Sequence, residues 1–168
     1  MIQYQICPIN PNSHLFEVLL SFKSTPGQSY TLTLPAWLPG SYMIRDFAKN
    51  ITEICAYNSN QQAISLSKID KQTWTLQASD EQVQVRYQVF AFDLSVRTAY
   101  LDSQRGFFNG SSTFLQVQEL SEQTCQLTIQ PSTLVEHSQW RVATGLPRAQ
   151  DTEKYQFGQY IADNYQHL

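Results

Sequence analysis

Long apolar runs, charge runs and paired cysteines are all missing from this chain, and each absence excludes a class of protein. No segment approaches the ~20 consecutive apolar residues of a membrane-spanning helix. The 11 Lys and Arg stand singly among 14 Asp and Glu, for a formal net charge of −3, so there is no basic footprint for a polyanion. Neither a nucleic acid nor a membrane is an expected partner. The amino end, Met1-Ile2-Gln3-Tyr4-Gln5-Ile6, has neither the positive charge nor the apolar stretch of a secretion signal. A cytoplasmic protein is therefore expected. Cys7, Cys55 and Cys125 are odd in number and lack CxxC spacing, so they read as small apolar residues in a reducing compartment rather than as a disulfide framework or a zinc knuckle.

Catalytic signatures are equally scarce. The three histidines, His14, His137 and His167, lie far apart, and none has a second His or a Cys at ligand spacing. Ser41 and Ser111 fall in turns, but no serine sits in a GxSxG elbow. Asp46 beside Arg45, Asp93, and Asp102 near Arg97 and Arg105 read as surface ion pairs. The chain alone is expected to hold no metal or cofactor and to catalyse nothing.

What the sequence does have is alternation. Phe16, Val18, Leu20 and Phe22 fall on one face of a strand, and Tyr30, Leu32 and Leu34 do so on the next. Further candidate strands cover residues 51–57, 64–69, 73–78, 83–92, 113–117, 125–129, 140–143 and 155–157. Turn chemistry separates them at Pro26-Gly27, Asn58-Ser59-Asn60, Asp70-Lys71-Gln72, Ser79-Asp80-Glu81, Asn109-Gly110 and Gly145-Leu146-Pro147. No window of about twelve residues keeps a helical period. Hydrophobic residues at 42% and charged ones at only 15% suit one globular β-rich domain over residues 1–168. The expected fold is all-β, an antiparallel sandwich or a curved, saddle-like sheet of about nine to eleven short strands with little helix. Residues 131–139 are weak in apolar pattern and read as a loop or one helical turn. Residues 159–168 read as a terminal strand with an extended exit.

After the strand ending at Leu34, the chain runs Trp37-Leu38-Pro39-Gly40-Ser41-Tyr42 and then Ile44-Arg45-Asp46-Phe47. Pro39-Gly40 forces a reversal, since proline presets φ and glycine accepts the positive φ that a type II turn needs next. Trp37 and Tyr42 flank it, and the simplest expectation is that they clamp the corner as buried aromatics. Later come Arg97-Thr98-Ala99-Tyr100-Leu101-Asp102 and Gly106-Phe107-Phe108-Asn109-Gly110-Ser111-Ser112-Thr113-Phe114-Leu115. The tail is Ile161-Ala162-Asp163-Asn164-Tyr165. In this order the stretches resemble the amino-terminal domain of the M61 family of zinc metallopeptidases, the glycyl aminopeptidase type.

The resemblance implies a noncatalytic β-domain that packs on the catalytic domain of the same polypeptide and shapes the substrate cleft for peptide amino ends. It implies zinc for that other domain, bound through an HExxH helix that this chain lacks, and it makes the peptide substrate only an indirect partner. The residues expected to face that domain or the cleft are Trp37, Tyr42, Arg45, Phe107, Phe108, Asn109, Gly110 and Ser111. Asn109-Gly110 reads as a two-residue hairpin turn. Phe107 and Phe108 cannot both enter one face of a strand, so one should point outward. The alternative is a free-standing β-sandwich that binds carbohydrate, for example, through Trp37, Trp74 or Trp140.

Overall fold

The computed structural model describes residues 1–132 and 140–168. Most of the weakly patterned segment 131–139, including His137, therefore lies outside the described residues. The chain opens with β1 (Ile2–Asn10), which passes through a 3-10 turn (Pro11–Ser13) into β2 (Leu15–Lys23) and β3 (Ser29–Thr33). After the corner and a second 3-10 turn (Phe47–Asn50) come β4 (Ile51–Asn58), β5 (Ala63–Ile64), β6 (Leu66–Lys68), β7 (Thr73–Gln77) and β8 (Gln82–Phe90). A hairpin of β9 (Ala99–Leu101) and β10 (Gly106–Phe108) follows, then a single helical turn α1 (Gly110–Thr113), β11 (Gln116–Val117), β12 (Cys125–Ile129) and β13 (Gly158–Ala162).

The strands form an all-β architecture. A large sheet runs β13-β12-β1-β2-β8-β4-β5, a second runs β11-β3-β7-β6, and β9-β10 stand as a small third. All pairings are antiparallel except that of β1 with β12.

Period two decides which side chains meet. β2 buries Phe16, Val18, Leu20 and Phe22, and β8 buries Val83, Val85, Tyr87 and Val89. Facing them, β3 contributes Tyr30 and Leu32, and β7 contributes Trp74 and Leu76. The Phe22 and Tyr30 rings, 5.1 Å apart, join the two layers. Each such side chain, fully buried, contributes about 1.5–3 kcal/mol of transfer free energy. Leu20→Ala would cost about 2–5 kcal/mol once the cavity is included. On the outer face of the large sheet, Gln3 donates to Gln126 (3.4 Å) and Gln126 to Gln159 (2.8 Å). That row of amides makes the surface polar while keeping the charge content low.

Several expectations need correction. The described residues hold thirteen strands, because β1, β9 and β10 add to the expected set and the 64–69 segment splits at Ser65, with β5 in the large sheet and β6 crossing to the second. β1 was not among the expected strands, although Ile2, Tyr4 and Ile6 alternate and are fully buried. Residues 140–143 and 155–157 are not strands; the first forms a coil, and Tyr155 adopts a left-handed φ of 67° that breaks extension. His14 is not in β2 but caps the turn before it, at φ 61°. The exit after β13 is not extended, since Asn164 caps a 3-10 turn (Tyr165–His167) by accepting the His167 N–H.

Candidate functional site

One end of the sandwich gathers the residues the sequence singled out. There Leu15 pairs with Phe90, Ile51 with Val89, Phe92 with Tyr100 and Phe107 with Tyr100. The β1–β2 turn, the exit of β8, the entry to β4 and the β9–β10 hairpin are thereby brought together. α1 packs beside the 3-10 turn Phe47–Asn50, which brings the corner to the same end.

The corner is a closed loop. Ser41 N–H donates to Leu38 O (3.1 Å), and Gly40 takes a φ of 80°, as the Pro39-Gly40 turn requires. Arg45 N–H donates to Ala36 O (2.7 Å), and its Nε donates to Ser41 Oγ (3.2 Å), so Arg45 ties the loop shut. Asp46, at φ 47°, meets Lys71 Nζ at 2.6 Å. The expected aromatic clamp is not there. Trp37 is 55% exposed, Tyr42 is completely so, and Met43 and Ile44 are mostly exposed. The backbone bonds close the turn, which leaves the apolar side chains free to point outward.

The second loop behaves differently at each of its two phenylalanines. Phe108 turns inward and meets Phe16 and Phe114 edge-on, both at 5.7 Å. Phe107 turns outward at 41% exposure. Asn109-Gly110 is not a hairpin turn, because Asn109 is extended (φ −107°, ψ 135°) and caps α1. Its side chain accepts the Ser111 N–H (3.2 Å) and hydroxyl (2.6 Å). A Cβ on Gly110 would come within 2.7 Å of the Leu168 carbonyl, so the carboxyl end of the chain lies directly on this turn.

Three buried tyrosines hold the backbone behind the loop. Tyr4 donates to Leu115 O (2.8 Å) and Tyr165 to Phe114 O (2.7 Å). Tyr87 donates to Thr113 O (3.0 Å) while accepting the Leu115 N–H (3.0 Å). Burial raises the pKa of all three well above the ordinary tyrosine value, keeping them neutral donors.

Beside Phe107 lies a feature that the sequence reading missed. His14 stacks on Phe92 at 3.9 Å, Phe92 stacks on Tyr100 at 5.7 Å, and Phe107 sits opposite Tyr100 across the hairpin. Phe92, Leu94 and Val96 are all more than half exposed. The signal was present. Phe90, Phe92, Leu94 and Val96 alternate on the parity opposite to the buried Val83, Val85, Tyr87 and Val89, which makes an apolar outer face. His14 Nδ1 donates to Leu101 O (2.6 Å), fixing the ring. Tyr100 donates to Asp102 Oδ2 (2.9 Å). Burial pushes the Asp102 pKa upward, but the N–H groups of Gln104 and Arg105 and the Tyr100 hydroxyl outweigh it and hold the carboxylate below its ordinary range.

Trp74 is buried in β7 and Trp140 is half-buried. Among the described residues, no three His, Cys, Asp or Glu side chains group so as to hold a metal ion. The zinc implied by the resemblance thus has no ligand set in them. The three cysteines are free thiols, with Cys55 exposed rather than packed away. No helix among the described residues is long and apolar enough to cross a membrane.

The described residues thus form an all-β domain with one apolar, aromatic end built from a closed corner and a capped loop. Comparison with known proteins places it. The profile of the Peptidase M61 N-terminal domain matches residues 3–168, and the chain belongs to that family. It is also similar to the crystal structure of an aminopeptidase N family protein from Idiomarina loihiensis, at 43% identity and a TM-score of 0.93, covering 100% of this chain and 28% of that one. An M1 zinc metallopeptidase from Deinococcus radiodurans shows a fainter likeness, at 8% identity and a TM-score of 0.44, over 95% of this chain and 37% of that one. A search of curated proteins found no match.

Proposed function

We propose that this chain is the noncatalytic amino-terminal domain of an M61-type zinc aminopeptidase. Its apolar end packs on the catalytic domain of the same polypeptide and forms one wall of the cleft that receives peptide amino ends. The observation that carries the reading is the exposure of Trp37, Tyr42 and Phe107 on one end of the domain, beside the stacked row from His14 to Tyr100. Exposed apolar patches of this kind mark contact surfaces. In support, the related Idiomarina loihiensis chain is more than three times as long as this one. Zinc and its ligands belong to the other domain. There the metal would supply an activated water, while Arg45 and the Asn109 cap fix the shape of the two loops that meet it.

The test is made in the full-length polypeptide. Phe107→Ser should fold normally and change kcat/KM for aminoacyl substrates. Phe108→Ser should destabilise the protein instead, because Phe108 packs between Phe16 and Phe114. Unchanged kinetics in a stable Phe107→Ser enzyme would remove this end from the cleft.

A further inference from the structure

The outer edge of β10 carries main-chain groups with no partner among the described residues, and a largely apolar cavity lies against it. Asp102 N–H donates to Arg105 O, and Asn109 N–H donates to Thr98 O. In an antiparallel ladder bonded pairs alternate, so Phe107 and Tyr100 form the bonded pair between those two. The N–H and C=O of Gly106 and Phe108 therefore point away from β9, and they meet no hydrogen-bond partner among the described residues. On the far side β9 is occupied, since Leu101 N–H donates to Ala91 O and Asp93 N–H to Ala99 O. Natural sheet edges are usually guarded by charge, proline or a bulge. Gly106-Phe107-Phe108 has none of these.

Along this edge lies a cavity of about 220 Å³, walled mainly by Ile6, Leu127, Ile129, Trp140, Leu146 and Phe157, with Gln130, Arg141 and Thr144 adding polar groups to its lining. An apolar cavity of about 150 Å³ takes a benzene ring, so this one accepts a large apolar side chain. Gly106 is needed for its shape. A Cβ there would sit 3.1 Å from Phe16 Cζ, so glycine lets the strand lie flush on the core.

We propose that the β10 edge and this cavity form a binding site for an extended peptide. The peptide adds as a strand, bonded to Gly106 and Phe108, and places one apolar side chain in the cavity. Only an extended main chain offers alternating donors and acceptors at the spacing of this edge, and successive side chains of such a strand point to opposite sides. That the peptide is substrate rests on the peptidase reading above; the site itself does not.

The chain is titrated with a short peptide of alternating Ala and Leu, followed by the amide signals of Gly106 and Phe108. The same peptide N-methylated at alternate residues is the control. Both amides should shift with the first peptide, and affinity should fall about tenfold or more with the second, which loses the strand bonds. Ala143→Trp, on the exposed rim of the cavity, should weaken binding similarly. Silence at those two amides, equal affinity for both peptides, or shifts centred on His14, Phe92 and Tyr100 would overturn the proposal. Shifts that grow with protein concentration alone would also overturn it, by identifying a second copy as the occupant. The Phe107→Ser kinetics are independent: they can fail with this titration intact, and the titration can fail with altered kinetics.

Discussion

Trp37 shows how a residue's surroundings set the meaning of its substitution. Were it a buried clamp, Trp37→Ala would cost about 3–5 kcal/mol. Its ring stands in solvent, so the isolated chain should lose no more than about 0.5 kcal/mol in a urea melt. A loss of several kcal/mol would show that the ring is packed. The opposite holds for Tyr87, whose hydroxyl both donates and accepts inside the core. Tyr87→Phe leaves the Thr113 carbonyl and the Leu115 N–H unpaired and should cost about 1–3 kcal/mol, with amide exchange rising first at Leu115. Gly158 is a third case. Its φ is 152°, and a Cβ there would lie 2.6 Å from Thr152 Oγ1, so Gly158→Ala should destabilise the β12–β13 pairing.

At the scale of elements, α1 depends on one side chain. Asn109→Ala removes the cap and should cost about 1 kcal/mol, read as a lower melting midpoint with Phe108 and Phe114 still packed. This turn also marks what local sequence can and cannot tell. Asn-Gly supports a hairpin and a helix start equally well, and only the tyrosines behind Thr113 and Leu115, brought from distant strands, select the second. Strands β2, β3, β7 and β8 were legible because one face is buried and the alternation is clean. β9 and β10 are too short to show a period. β1 also alternates, at Ile2, Tyr4 and Ile6, but three apolar residues at an amino end carry too short a period to stand out. In the candidate site the exposure of one of two adjacent phenylalanines followed from strand geometry alone. The exposure of Trp37 did not, because backbone bonds of the corner replaced the aromatic clamp. The outer row through Phe92 shows as a switch of apolar residues from odd to even positions at Phe90.

For the molecule as a whole, far-ultraviolet circular dichroism should be dominated by β-structure, with helix limited to a few turns. Acid should act through three carboxylates. Asp70 is lowered chiefly by the Gln72 N–H and Asp80 by the Ser59 hydroxyl, while at Asp102 the Gln104 and Arg105 N–H groups outweigh burial. Each has a folded pKa below the ordinary 3.8. Their contribution is therefore present above about pH 4 and lost as pH falls through the lower folded values. Asp80→Asn should flatten the acid limb of a stability profile by lowering stability at neutral pH, with little change at pH values below the folded pKa.

The parallel pairing of β1 with β12 joins Ile2 to Cys125 and Ile6 to Ile129. β1 thus gains its second neighbour only after more than a hundred further residues have been made. Until then β1 can pair with β2 alone, and its other edge, bearing Ile2, Tyr4 and Ile6, is open to any passing strand. Assembly of this domain is governed by its own late residues, and a nascent chain stalled before Cys125 should be prone to aggregation and dependent on a chaperone.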